Sequence, residues 1–384
     1  MSLRNFRDVL GGDLAGKAFT ALFLMGLIRW LPTDEFALLM TLQAVIILSI
    51  TLPASIINRH YVLTKGTQRH PRSYRALQVS TAGLISIVAL AVTSSDAVWH
   101  MNAAVILCSI AGAWFEFGRS FAQKSEHFTL WSRAEVLRTM LLAANLIWLY
   151  VPLTTSTKLF AIILCQAIGY LCASRVTGSV MGPPPTLRYA LEPIKQRRTG
   201  FIALYLILVA IMGQLPILLS SELASSFETA SLSAAYRYYG ILLSILSSAY
   251  VVIISKISQS DDDVSHDIFK LQLVGGALIT AGCAAGYLII PWVDDGRYPD
   301  APLLFLILSM TLPPALAAAP LVAKQMKDGD GMQLVIAQVV SAVGFFAPLI
   351  IIQSNPVHAI AFGVAIASLL QFAFLRIRDR LADR

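Results

Sequence analysis

In the second half of the sequence, one arginine lies inside an apolar run, within a regular series of small and polar residues. The series is Ser233, Arg237, Gly240, Ser244 and Ser247, at intervals of four, three, four and three positions. Such intervals place all five residues on one face of a helix. A cation on that face could hold an anionic ligand in a water-filled cavity. The alternative is that Arg237 lies near the outer end of its helix and extends its side chain to the membrane surface.

The first apolar run contains two more cations that could do the same chemistry, Lys17 and Arg29. Arg29 precedes Trp30 near the outer end of the run, so it could instead reach the membrane surface. Lys17 follows Asp13 by four positions, so these two could instead form an ion pair near the inner end. All these groups can line one cavity only if the helix bends, for example near Gly26.

Two carboxylates are candidates for binding and releasing a proton, and so for coupling to an ion gradient. Glu116 lies among aromatic residues in the stretch Ala-Trp-Phe-Glu-Phe-Gly, and Asp13 lies at the start of the first apolar run. A carboxylate in such a place could take up and release a proton. The alternative for Glu116 is an ion pair with Arg119, three positions further on.

Three uncharged polar side chains also lie within apolar runs: Gln43, Gln214 and Tyr236. We expect them to contribute polar groups to the same cavity, where glutamines could bind sugar hydroxyls. The alternative is structural. Glutamines inside a membrane join neighbouring helices by hydrogen bonds, and a tyrosine near a helix end lies at the membrane interface.

The elements that must position these residues are membrane-spanning helices. Hydrophobic residues make up 57% of the 384 positions and charged residues only 13%, whereas about a quarter of a soluble domain is charged. The apolar runs are continuous and about 20 residues long, as a spanning helix requires. They do not alternate with polar residues as barrel strands do. The sequence therefore predicts an all-α polytopic membrane protein without a separate soluble domain.

We predict about twelve spans in two lobes of six helices each. The N-terminal lobe is 1–180, a cytoplasmic linker is 181–199, and the C-terminal lobe is 200–384. Two such halves can be related as a parallel repeat, an arrangement found in several transporters. The predicted spans are 14–32, 35–57, 75–95, 98–118, 134–152, 157–177, 200–222, 229–256, 270–292, 301–323, 331–352 and 357–376.

Lysines and arginines are unevenly divided between the two sides of this topology. If the spans alternate, all but four of the 29 fall on the side of the N-terminus; the exceptions are Arg29, Lys158, Arg237 and Arg297. Such an excess marks cytoplasmic loops, so both termini are predicted to be cytoplasmic. The net charge of +7 is then assigned to contact with anionic membrane lipids, not nucleic acid.

The motifs of several other functional classes are absent from the sequence. Without a G-x-x-x-x-G-K-[ST] loop, ATP is not expected to be the direct energy source. The four cysteines all fall within predicted spans and are typical of core residues, so no metal or cofactor is expected. A membrane enzyme, such as a polysaccharide polymerase or an acyltransferase, is a weaker alternative. No large outer loop is present, and His100 has no evident catalytic partner.

Two stretches of the sequence carry a family resemblance. The stretch from Lys17 to Phe36 contains R-W-L-P-T-D-E-F, which resembles the R-x-L-x-x-x-E-[FY] opening of polysaccharide-transport proteins. The stretches Gln214–Leu219 and Ala230–Arg237 resemble the seventh and eighth spans of the same proteins, although Phe227–Ala230 departs from their usual form. The chain thus resembles the multidrug/oligosaccharidyl-lipid/polysaccharide (MOP) exporter superfamily, in its branch of O-antigen and capsule flippases.

This resemblance implies a fold like that of the MATE transporters, which belong to the same superfamily. It implies that the protein flips a lipid-linked oligosaccharide, carried on undecaprenyl pyrophosphate, across the bacterial inner membrane by alternating access. Lys17, Arg29 and Arg237 would be its cavity cations. A polymerase and glycosyltransferases of O-antigen or lipopolysaccharide synthesis are the implied partners. An antiporter of cationic drugs from the same superfamily is the alternative.

Overall fold

The computed structural model describes residues 3–63, 70–93, 99–125, 127–177, 197–259, 265–328 and 330–382. The chain divides into two compact units, 1–196 and 197–384. All regular structure in the described residues is helical, so the predicted all-α fold class is confirmed. The predicted linker 181–199 lies almost entirely outside the described residues, and the predicted lobe boundaries stay a prediction.

The described residues of the first unit form six α-helices. Acidic residues Asp34 and Glu35 lie in the first turn of the second helix, where the positive end of the helix dipole stabilises them. A proline begins the third helix, where its missing N–H is not needed. The helices are α1 (Leu3–Trp30), α2 (Thr33–Leu63), α3 (Pro71–Val92), α4 (Trp99–Lys124), α5 (Phe128–Ala144) and α6 (Thr155–Val176).

Helix α4 packs against α2, α3 and α6, while α1 packs along α5. Small residues let α4 approach its neighbours closely. A Cβ atom added to Gly112 would lie 2.1 Å from the side chain of Ile50, and one added to Gly118 would lie 2.4 Å from Thr177. Such close packing of small residues is what holds helices together inside a membrane, where lipid is as apolar as the side chains.

In the second unit, seven α-helices are described, two of which share one span. They are α7 (Arg197–Leu223), α8 (Ser226–Gln259), α9 (Ser265–Val293), α10 (Ala301–Ser309), α11 (Leu312–Asp328), α12 (Gly331–Ile351) and α13 (Pro356–Ala382). Helices α12 and α13 are in tight contact, since a Cβ added to Gly363 would lie 2.4 Å from the backbone oxygen of Phe345.

The break between α10 and α11 follows from the sequence. Pro313 and Pro314 have no N–H groups, so they cannot donate to the backbone carbonyls of Ser309 and Met310. Side chains from other helices stabilise the interruption. The hydroxyls of Tyr239 and Thr311 are 2.8 Å apart, and the hydroxyl of Ser368 donates to the Thr311 carbonyl at 3.0 Å.

Each of the twelve predicted spans coincides with described helical structure. The predicted span 134–152 begins within α5 but passes into a short 3-10 helix at Asn145–Leu149, because asparagine is a poor α-helix former. Among the described residues, nine helical segments are long and apolar enough to cross a membrane. Helices α1, α5 and α8 are not among the nine. Helix α5 has only 17 residues, and the side chains of 3–14 in α1 and of 244–259 in α8 lie outside the described part of the chain.

Candidate functional site

Four charged side chains on α4 and α5 form a connected network in the first unit. The Arg119 guanidinium lies 3.0 Å from the Glu116 carboxylate and 3.6 Å from that of Glu135. Arg138 donates to both oxygens of Glu135, at 3.2 and 2.5 Å, in the forked geometry that makes arginine–carboxylate pairs strong. Glu116 therefore forms the ion pair with Arg119 that its spacing allowed.

The network lies largely away from solvent, with Glu135 only 9% exposed. Aromatic rings cover both guanidinium groups. Arg119 lies 4.3 Å from the ring centre of Trp131, and Arg138 lies 5.6 Å from that of Tyr170. Charges removed from water are stable only with such partners around them, and the two positive and two negative charges cancel.

Helix α1 crosses α5 directly over this network. A Cβ atom added to Gly16 would lie 3.3 Å from Cγ of Glu135, so the absence of a side chain at Gly16 allows the approach. The predicted cavity cation Lys17 is the next residue and is half-buried. The side chain of Asp13 lies outside the described part of the chain, so its predicted role in ion coupling stays a prediction.

The other predicted cation of α1 is in a different environment. Arg29 is exposed in the last turn of the helix. The neighbouring ring of Trp30 is half exposed and lies 5.7 Å from the ring of Tyr150. Aromatic pairs of this kind are enriched at the membrane interface, which agrees with the alternative that Arg29 extends to the membrane surface.

Gln43 joins two helices of the first unit. Its side-chain amide and that of Gln166 donate to each other, at 2.5 and 3.3 Å, and both residues are buried. A paired amide satisfies its own polar groups in an apolar surrounding. Gln43 therefore has the helix-joining contact that the sequence offered as the alternative to lining a cavity.

On α8 of the second unit, the predicted stripe is partly accessible. Ser233 is 0% exposed, and among the described side chains its hydroxyl has no hydrogen-bond partner. Arg237 and Gly240 follow at helical spacing and are half-buried. A Cβ added to Gly240 would meet no atom within 4 Å. The side chains of Ser244 and Ser247 lie outside the described residues.

The neighbouring helix α7 contributes to the same region. The Tyr236 hydroxyl donates to the carbonyl of Gly213 at 3.2 Å, which links α8 to α7. Gln214, adjacent to that glycine, is half-buried, and a Cβ on Gly213 would also meet open space. Arg237, Gly240, Tyr236 and Gln214 are thus partly accessible residues of two linked helices.

Two members of the first-unit network, Glu135 and Arg138, were missed as site residues from the sequence. The available signal was an acid and a base three positions apart within an apolar segment, a spacing typical of a helical ion pair. No sequence signal links Glu135 to Arg119, because that contact depends on how α4 packs against α5.

The contacts between charged side chains in the described residues are ion pairs. Among them, no group of three or more His, Cys, Asp or Glu residues could hold a metal ion. The four cysteines are free thiols within helices. The acids of α4 and α5 are neutralised by arginines, and the cations Lys17 and Arg237 are half-buried on α1 and α8.

Comparison with known proteins identifies the fold. No protein-family profile and no curated sequence matches this chain. The lipid II flippase MurJ in an inward closed conformation aligns with 99% of this chain and 88% of its own, with a TM-score of 0.74 and 10% identity. An outward-facing multidrug resistance MATE transporter of the MOP superfamily covers 98% and 95%, with a TM-score of 0.61 and 13% identity.

A third structure is a MOP superfamily transporter from Pyrococcus furiosus Vc1, described as having a binding pocket of reverse polarity. It covers 99% of this chain and 94% of its own, with a TM-score of 0.52 and 14% identity. At such identities the likenesses show the fold alone. The chain is therefore a multi-pass, all-helical membrane protein with the fold shared by the lipid II flippase and MATE transporters of the MOP superfamily.

Proposed function

We propose that this protein is a flippase that moves an anionic lipid-linked oligosaccharide from the cytoplasmic to the outer leaflet of the bacterial inner membrane. The observation that carries the proposal is the half-buried Arg237 on α8, beside Gly240 and in a unit whose fold is that of a flippase and of MATE transporters. A guanidinium in such a place is matched to the oxygens of a pyrophosphate group.

The alternative substrate class, cationic drugs, receives less support from the charges. A pocket for cations requires carboxylates that are not already neutralised. The described acids inside α4 and α5, Glu116 and Glu135, both form ion pairs with arginines. On α1 and α8, the half-buried charged residues whose side chains are described are the cations Lys17 and Arg237 and one acid, Glu228. Glu228 lies in the first turn of α8 and accepts hydrogen bonds from the backbone N–H and the hydroxyl of Ser225.

The finer parts of the proposal follow from the sequence. The uneven distribution of lysine and arginine supports cytoplasmic termini. The absence of an ATP-binding loop supports coupling to an ion gradient, for which Glu116 and Asp13 are the candidates from the sequence. Lys17 and Arg29 are further candidates for contact with the anionic substrate, and a polymerase and glycosyltransferases of the same pathway are the proposed partners.

The test is a translocation assay with purified protein in liposomes. The liposomes contain an undecaprenyl-pyrophosphate oligosaccharide, and a glycosidase outside the vesicles reports how much of it reaches the outer leaflet. We expect the wild-type protein to transfer the inner pool and Arg237→Ala to transfer it at least about tenfold more slowly, since a charge-assisted hydrogen bond contributes about 1.5–3 kcal/mol.

Arg376→Ala is the matched control. Arg376 is an arginine of the same unit, half exposed near the C-terminal end of α13 and paired with Asp379, and we expect its loss to leave the rate unchanged. Failure of the wild-type protein to move the oligosaccharide, together with efflux of a cationic dye from the same vesicles, would support the drug antiporter instead. Equal rates for the two variants would remove Arg237 from the site.

A further inference from the structure

The loop that follows α9 contains an acid whose burial is unexpected from its sequence. Asp294 comes directly after the span that ends at Val293, in the sequence Asp-Asp-Gly-Arg-Tyr. A loop of this composition is ordinarily solvated. Asp294 is nevertheless 0% exposed, while the adjacent Asp295 is exposed. A buried carboxylate requires an explanation, because burial strongly disfavours its charged form.

The local backbone holds Asp294 in place. Its Oδ1 accepts a hydrogen bond from the N–H of Gly296 at 3.0 Å, and its carbonyl accepts one from the N–H of Arg297 at 3.1 Å. Asp295 and Gly296 both adopt positive φ, at 53° and 68°, which turns the chain tightly back toward α9. The turn therefore fixes one carboxylate oxygen and directs the side chain inward.

The other carboxylate oxygen, Oδ2, is buried and has no hydrogen-bond partner among the described residues. The hydroxyl of Tyr238 on α8 is also buried and without a hydrogen-bond partner among the described residues. Asp294 and Tyr298 are near enough to interact electrostatically with this hydroxyl. Two buried polar groups of one cluster are thus each without a partner. A buried polar group without a hydrogen bond costs about 1–3 kcal/mol. The arrangement therefore indicates a place where a proton can be bound and released.

The charged groups around Asp294 do not stabilise its ionised form fully. Arg297, in the same loop, attracts the carboxylate, but among the described residues no cation forms an ion pair with it, and Asp295 repels it. Burial raises the pKa of Asp294 above its ordinary value, and the hydrogen bond from Gly296 offsets this only in part. The acids Glu116, Glu135 and Asp379, by contrast, all have arginine or lysine partners.

We propose that Asp294 is a proton-binding site at the outer end of the second unit. The hydroxyl oxygen of Tyr238 accepts the hydrogen bond that the protonated carboxyl donates. In the neutral form Oδ2 becomes a donor, and the Tyr238 hydroxyl oxygen can accept from it, directly or through one water. Loss of the proton leaves a carboxylate beside Arg297. As a coupling site Asp294 rests on the proposed function, but as a proton site it does not.

The test is infrared difference spectroscopy of the purified protein across a pH titration, in which a protonated carboxyl gives its own C=O band. We expect the wild-type protein to keep such a band above pH ~4, the ordinary aspartate pKa, and Asp294→Asn to lose it. Asp300→Asn is the matched control, because Asp300 is an exposed acid six positions away, and it should keep the band.

A second variant keeps the test decisive if Asp294→Asn does not fold. Tyr238→Phe retains the carboxyl but removes the acceptor, so the band should remain and its frequency should shift. A wild-type protein without a protonated carboxyl band above pH ~5 would overturn the proposal, as would an unchanged band in Asp294→Asn. A normal band in a protein that moves no oligosaccharide would reject the flippase function and leave the proton site standing.

Discussion

Arginine occurs in two contrasting environments in this protein. On α4 and α5, Arg119 and Arg138 are enclosed by two glutamates and by aromatic rings, and their charge is cancelled. On α8, Arg237 lies between Ser233 and Gly240 in a half-buried stripe. A cancelled cation serves the architecture of its unit, whereas under the proposed function the small residues beside Arg237 leave room for an anionic ligand. On this proposal, environment and not residue type separates the two roles.

The largest expected effect comes from removing the acid that joins the first network. Glu135→Ala leaves Arg138 without its carboxylate and Arg119 with only one. Breaking a buried ion pair in this way costs about 3–5 kcal/mol, so the midpoint of thermal unfolding in detergent should fall steeply. Asp379→Ala is the control, because its partners Lys324 and Arg376 are half exposed and such pairs contribute about 0–1 kcal/mol. Equal losses would mean that the network is not structural.

The second prediction concerns Arg237 on α8, where we expect a loss of activity and little loss of stability. Arg237→Ala should slow translocation at least about tenfold while leaving the unfolding midpoint close to that of the wild-type protein. Arg237→Lys should restore only part of the rate, because a lysine cannot make the forked contact with a pyrophosphate. A large loss of stability in Arg237→Ala would show that this arginine, too, is structural.

Two glycine substitutions compare the same two regions, with a smaller expected effect on stability. Gly16→Ala places a methyl group 3.3 Å from Cγ of Glu135, so overpacking should offset the gain in helix propensity of about 1 kcal/mol that alanine brings. Gly240→Ala meets open space, so the stability should not fall. Thermal unfolding of the two variants distinguishes these outcomes. A destabilised Gly240→Ala would contradict the openness of the α8 stripe.

The pH dependence of stability tests the buried acid of the second unit, Asp294. The expected effect is similar in size to that of the glycine substitutions. Because the pKa of Asp294 is raised in the folded protein, its contribution to stability is complete below the unfolded value of about 4 and is lost as the pH rises through the folded value. Unfolding midpoints should therefore decline less from pH 4 to pH 7 in Asp294→Asn than in the wild-type protein. An identical decline in both proteins would argue against the raised pKa.

The smallest effect is expected for the glutamine pair of α2 and α6. Gln43→Ala should lower stability by about 1 kcal/mol, the usual net contribution of a hydrogen bond, or somewhat more if the partner stays unsatisfied. Gln43→Ala combined with Gln166→Ala should cost less than the sum of the single changes, which a double-mutant cycle measures. Strict additivity would mean that Gln43 does not act through Gln166.

The fold could be read from the sequence because long apolar runs leave the backbone only one way to satisfy its hydrogen bonds in lipid. Contacts within one helix were also within reach, since the Glu116–Arg119 pair follows from a spacing of three. Contacts between helices were not. The link from Glu135 to Arg119 needs the packing of α4 on α5, and the burial of Asp294 needs a loop folded back beside Tyr238.

The most direct test of the central claim is protection of the α8 stripe by substrate. The four native cysteines are first replaced, and the Gly240→Cys variant is then treated with a charged thiol reagent. The control is Ala234→Cys, because Ala234 is fully buried. We predict that the thiol at position 240 reacts, that position 234 does not, and that undecaprenyl-pyrophosphate oligosaccharide slows the reaction at 240. A reaction rate at position 240 that the oligosaccharide leaves unchanged would contradict the account.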